Sequence, residues 1–178
     1  GPGELALPAL ADRPMPEIDG RIGDAEWALA SVIVGGFQDD RYLDGRFFKA
    51  YLMTDSTNLY LALHTRTGED ADLRAAVAPE PGKDQIRAFY DDSIELWLAP
   101  DTQQGGETAY QVILNSKGAR YDAALDVSRS PARRDERFQI SWRQANVIRG
   151  GDWQAEFALP LAPLGIRPGR PFGLRLVR

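Results

Sequence analysis

The sequence predicts an all-β fold, an antiparallel β-sandwich of jelly-roll type with one or two short helices. Short apolar or alternating runs recur between turn signals along most of the 178 residues. Glycine (17) and proline (12) make up about a sixth of the chain, above ordinary usage of about 12%, which favours many turns. The strand-like runs also follow one another without long helical patterns between them, the mark of an antiparallel arrangement.

Taken in order, Asp24 is placed to cap a short helix over "AEWALA", residues 25–30. "RFFKAYLMT" (46–54) and "LYLALHTR" (59–66) read as a hairpin closed by the polar cluster "DSTN". "SIELWLA" (93–99) is followed by the loop "PDTQQGGE". "TAYQVILN" (108–115) and "ARYDAALD" (119–126) flank the turn "SKG". "RFQISWRQANVIR" (137–149) and "DWQAEFALP" (152–160) flank "GG", a second hairpin signal. "PLAPLG" (160–165) reads as one helical turn, and "PFGLRLVR" (171–178) as a last strand. Seven to nine strands result.

Residues 1–16 are set apart from a single module over 17–178. Gly1-Pro2 reads as the scar of a removed tag, and the Pro- and Ala-rich stretch after it as a linker. Composition narrows the partners. A net charge of −5 and a pI near 5.0 disfavour nucleic acid and anionic membranes, whose binding depends on clustered Lys and Arg. No apolar run is long enough to cross a membrane as a helix. The chain has no cysteine, which removes thiol and zinc-cysteine chemistry, and with a single histidine, His64, and no G-x-S-x-G elbow a Ser-His-Asp arrangement has little support. Nucleotide-binding glycine motifs are missing too. The 26 acids allow many glycosidase-like pairs, but spacing selects none, and the protein reads as a non-enzyme.

Asp91 and Asp92, and Asp39, Asp40 and Asp44, are candidate oxygen ligands for a structural calcium ion; surface acids at strand ends are the alternative. Haem is not expected, because Met53 and His64 would have to converge. The stretch "RSPARRDERF" (129–138) reads as a solvated loop or as a contact for an anionic polysaccharide.

The strand at 93–99 carries the most informative pattern. Period-2 alternation sends Ile94, Leu96 and Leu98 to one face, and Ser93, Glu95 and Trp97 to the other. Phe89 and Tyr90 stand just before it, and Gln111 is on the next strand. Saccharide recognition needs an aromatic ring for the sugar's C–H face and rigid polar groups for its hydroxyls. This face offers both. Trp97 is open between binding surface and half-buried core, and Glu95 between sugar contact and an arginine across the strand. Trp27 and Trp153 are assigned to the core; Trp142 has no assignment.

The motifs together resemble family 9 carbohydrate-binding modules and their DOMON-type relatives. "EIDGRIGDAEW" (17–27) is similar to the opening Ile-Asp-Gly, acidic turn and Trp of that family. "NLYLALHTRT", "DDSIELWL", "YQVILNSKGARYDA" and "GGDWQAEFALPLAPLGIRPG" follow in the family's order. The resemblance spans about residues 17–178. It implies a non-catalytic sandwich that binds sugars, often at chain ends, with calcium stabilising loops and a secreted or periplasmic location.

The resemblance also places the first sugar-stacking aromatic at Phe89 and the sugar-contacting glutamate at Glu95. Gln111 stands where the family has an arginine, and Arg175 roughly where it has an asparagine. The family's second aromatic comes from a loop after the strand matched to "PFGLRLVR", so either that last loop and strand are missing from this sequence or the sandwich is built differently. The expected ligand-binding set is Phe89, Tyr90, Glu95, Trp97, Gln111 and Arg175. The expected function is to target an attached catalytic domain to a polysaccharide or its ends. The alternative is an interaction domain that packs on such a neighbour without a ligand of its own.

Overall fold

The structure, a computed structural model, describes residues 5–11, 14–35, 37–38, 41–42, 48–66, 75–82, 84–100 and 107–178. The calcium candidates Asp39, Asp40 and Asp44 and most of the 100–107 loop lie outside them. The chain divides into two compact units, residues 1–72 with 142–160, and residues 73–141 with 161–178. Each is built on one five-stranded antiparallel sheet. Among the described residues the helical content is two 3-10 turns, Ile86–Tyr90 and Ala162–Leu164.

The first unit holds β1 (Ser31–Gly35), β4 (Phe48–Thr54), β5 (Asn58–Arg66), β10 (Arg143–Arg149) and β11 (Asp152–Pro160), in the order β1-β4-β5-β11-β10. A short ribbon pairs β2 (Phe37–Gln38) with β3 (Arg41–Tyr42). The β4–β5 hairpin closes as expected: Asp55 Oδ1 accepts from the Thr57 and Asn58 amides at 2.7 and 2.6 Å, a side chain standing in for a backbone turn. Gly150 and Gly151, with φ of 52° and 84°, supply the two left-handed positions of the β10–β11 turn.

One face of this sheet is aliphatic and aromatic. Leu59, Leu61 and Leu63 lie beside Ala155, Phe157 and Leu159, all buried, each large side chain worth about 1.5–3 kcal/mol. Trp153 is buried in the same row and donates from Nε1 to Asn146 Oδ1 at 2.6 Å. Trp142, unassigned from sequence, is buried and stacks on Phe157 at 5.9 Å.

The opposite face is covered by the unit's own N-terminal segment. Trp27 joins Met53, Tyr60, Ala62 and Ala158, with Leu10, Met15, Ile18 and Ile22 around them. Glu156 locks that segment down. Wholly buried, it accepts from the Asp19 and Gly20 amides at 3.1 and 2.8 Å through Oε1, and from Trp27 Nε1 at 2.9 Å through Oε2. Gly20, at φ 81°, lies so close to β10 that a Cβ would fall 2.8 Å from the Asn146 carbonyl carbon. The Asp-Gly…Trp opening motif and the late Trp-x-Ala-Glu motif are thus two halves of one latch. Ahead of it, Leu10 and Pro8 exchange backbone hydrogen bonds with Thr54.

The second unit holds β6 (Ser93–Pro100), β7 (Thr108–Asn115), β8 (Arg120–Asp126), β9 (Arg133–Arg134) and β12 (Phe172–Val177), in the order β12-β6-β7-β8-β9. Ile94, Leu96, Leu98, Val112 and Leu114 form its fully buried face. Gly165, at φ 64°, ends the 162–164 turn, as a left-handed terminator does.

Three expectations differ. "AEWALA" forms turns over 24–29 rather than a capped helix; Trp27 N bonds Gly23 O, and Ala30 N already reaches Trp27 O. The strand expected over 137–149 begins only at Arg143. Within the charged 129–138 stretch, Arg133–Arg134 add an edge strand to β8, so it is not wholly loop; charged residues suit an exposed edge.

Candidate functional site

The register of the second sheet fixes which side chains share a face. Val177, Glu95, Ile113 and Tyr121 form one cross-strand row; Arg175, Trp97, Gln111 and Ala123 form the next. Residues directly opposite in an antiparallel ladder point the same way, with strands about 5 Å apart. Glu95, Trp97, Gln111 and Arg175 therefore share one surface spanning three strands. Trp97 and Gln111 are half-buried, and Arg175 is exposed.

Glu95 is only 7% exposed, and its partner is Gln111, which donates from Nε2 to Glu95 Oε1 at 2.9 Å. An arginine across the strand was one expectation. The register puts Ile113 and Val177 opposite Glu95 and Gln111 diagonally, so a neutral amide holds the carboxylate instead. This pairing fixes the orientation of Glu95. It leaves Oε2 as an acceptor, and one Gln111 N–H and its carbonyl oxygen as further groups, the mixture a sugar hydroxyl requires.

The 3-10 turn Ile86–Tyr90 lies on the same face. Its Ala88 is buried among Ile113, Ala119, Tyr121 and Ala123. Phe89 and Tyr90 project beyond it, 48% and 78% exposed, edge to face with centroids 5.6 Å apart. Sequence alone gave no reason for a 3-10 turn here, since five residues carry no usable period.

Asp91 and Asn115 hold this turn in place. Asp91 Oδ1 accepts from the Ala76 amide at 2.9 Å, and Oδ2 from the Val77 amide at 3.0 Å. Asn115, fully buried, donates from Nδ2 to Val77 O at 2.7 Å and to Asp91 Oδ2 at 3.0 Å. Its Oδ1 accepts from the Lys117 and Ala119 amides. Sequence reading missed Asn115 as a positioning residue; its place at the end of an apolar strand before "SKG" was the available signal.

These contacts bear on calcium. N–H donors bond both Asp91 oxygens. Asp92 instead lies 3.4 Å from the Arg178 guanidinium. Among the described residues no group of three or more His, Asp or Glu side chains is placed to hold a metal ion. In the other unit, Met53 is buried opposite Tyr60, while His64 stands opposite Lys49. The two lie about 13 Å apart along the ladder, and His64 Nε2 is 3.0 Å from Asp152 Oδ1.

Beyond Gln111, Arg134 lies over the Tyr121 ring at 4.8 Å and 3.9 Å from Asp84. Burial pushes the Tyr121 hydroxyl up from its ordinary pKa, against the Arg134 charge.

This architecture is that of a β-sandwich of the family 9 carbohydrate-binding-module type. A family 9 carbohydrate-binding module from Caldicellulosiruptor kristjanssonii in complex with glucose superposes with a TM-score of 0.59 at 15% identity, covering 96% of this chain and 74% of that one. The same module in complex with cellotriose gives 0.60 at 15% identity, covering 96% and 73%. A candidate carbohydrate-binding protein from Bacteroides uniformis gives 0.63 at 15% identity, covering 90% and 73%. No protein-family model matches the sequence, and a search of curated proteins finds no match.

Proposed function

We propose that the protein is a non-catalytic carbohydrate-binding module whose site is the Glu95–Trp97–Gln111–Arg175 face bordered by Phe89 and Tyr90. One observation supports this most strongly: a carboxylate oriented by an amide, beside an indole, on strands held in fixed register. A site built on a sheet loses little conformational entropy when a saccharide docks. Trp97, with Phe89 or Tyr90, covers the sugar's C–H face, while Glu95 and Gln111 take its hydroxyls. In this reading the module carries an attached enzyme to a polysaccharide or its chain ends, in a secreted or periplasmic setting. The likeness to modules solved with glucose and cellotriose supports it at the level of fold.

Affinity electrophoresis against a panel of neutral and acidic glycans tests the reading. Retardation by at least one glycan, lost in Trp97→Ala, is the expected result; no retardation by any of them overturns it. A second reading, an interaction domain without a ligand, draws on Leu29, Val32 and Val34, which are 48%, 43% and 56% exposed in the first unit. It predicts that these residues, and not Trp97, become protected in the full-length protein.

A further inference from the structure

We propose that Arg175 makes this face selective for a saccharide bearing a carboxylate, a uronic acid, over its neutral hexose counterpart. The inference rests on the carbohydrate-binding reading and names the ligand class of the same site. Arg175 lies directly opposite Trp97, which lies directly opposite Gln111. Its guanidinium is exposed and makes no ion pair or hydrogen bond among the described residues.

Three other arginines of the second unit stand beside acids. Arg134 approaches Asp84 and Tyr121, Arg178 approaches Asp92, and Arg129 approaches Asp126. On this face, the guanidinium in the row of Trp97 and Gln111 has no hydrogen bond or ion pair to any described residue. A planar fork of N–H donors matches a carboxylate in bidentate geometry. A hexose and its hexuronate differ only at C6, where CH2OH is replaced by a carboxylate, so one well-placed guanidinium can distinguish them. With Glu95 and Gln111 on the hydroxyls and Trp97 under the ring, Arg175 is the group left for C6. A net charge of −5 opposes long-range attraction of a polyanion, so a uronate preference has to come from short-range contacts such as this one.

The simpler role of a charge on β12 is to discourage pairing at an open sheet edge. That role predicts no preference between sugars.

Isothermal titration separates these cases, using oligomers of glucuronate and galacturonate against those of glucose and galactose. The expected result is at least tenfold tighter binding of one uronate than of its neutral counterpart. In Arg175→Gln that uronate should fall to the neutral sugar's affinity, while Arg175→Lys keeps part of the preference. Thermal melts establish that both variants are folded. Equal or tighter binding of the neutral oligomer, or a uronate preference that survives in Arg175→Gln, overturns the inference and leaves the carbohydrate-binding reading standing. Binding of neither class overturns the inference, and the glycan panel then decides the carbohydrate-binding reading.

Discussion

Replacing Glu156 by Gln probes the latch that holds the N-terminal segment on the first sheet. The wild-type carboxyl takes three donors, two backbone amides on Oε1 and the Trp27 indole on Oε2. Gln keeps one acceptor oxygen for the amides but sets its own NH2 against the indole N–H. Leaving one buried donor unmet costs about 1–3 kcal/mol.

A second effect depends on pH. Burial, the largest influence, raises the Glu156 pKa from the ordinary 4.5 to about 7, although the indole and the two amides favour the charged form. A carboxyl whose folded pKa lies above its unfolded value stabilises most below pH 4.5. That contribution fades as pH rises towards 7, by at most about 3 kcal/mol at roughly 1.4 kcal/mol per pKa unit. Glutamine does not titrate. The stability gap between wild type and Glu156→Gln should therefore be largest near pH 4.5, at about 1–3 kcal/mol, and should narrow towards pH 7. Urea denaturation followed by tryptophan fluorescence at pH 4.5, 5.5, 6.5 and 7.5 measures it. A gap that stays constant, or widens with pH, would refute the reasoning by showing that the three donors outweigh burial and keep the group ionised.

Three further outcomes follow from the same geometry. Trp97→Ala should weaken saccharide binding about ten- to a hundredfold, the range of a truncated aromatic anchor, with a small change in melting temperature because the ring is only half-buried; titration calorimetry and a thermal melt check both. Asn115→Ala removes the side chain that ties Val77, Asp91 and the 117–119 turn together. It should destabilise by about 2–4 kcal/mol, as loss of a buried hydrogen-bond hub does, and amide exchange should quicken over 86–91. Gly150→Val places a β-branched residue at φ 52° in a two-residue turn and should cost about 1–2 kcal/mol, measured by the same denaturation.

The strands that alternate or run apolar between clear turns were legible. β7 at 108–115 and β11 at 152–160 match their sequence limits, because "SKG" and "GG" punctuate them. Face assignment in β6 followed from its period of two, which is why Glu95 and Trp97 share a surface. What escaped was set by tertiary contact. "SVIVG" becomes β1 by pairing with β4, although it follows a stretch that reads as helix. Arg133–Arg134 become a strand only because β8 offers an open edge. The partner of Glu95 lay one diagonal away, a matter of register that spacing within one strand does not fix. Glu156 sat in a recognisable motif, but its role emerges only where residues 19, 20 and 27 fold back over it.

The most direct test of the account is a nuclear magnetic resonance titration of the isotopically labelled protein with the tightest-binding oligosaccharide from the glycan panel. Shift changes should concentrate on the Trp97 indole, the Gln111 side-chain amide, and the backbone amides of residues 89, 90, 95 and 175, while the Trp27 and Trp153 indoles stay still. Changes centred on the first sheet, or spread evenly with the Trp97 indole unmoved, would contradict it.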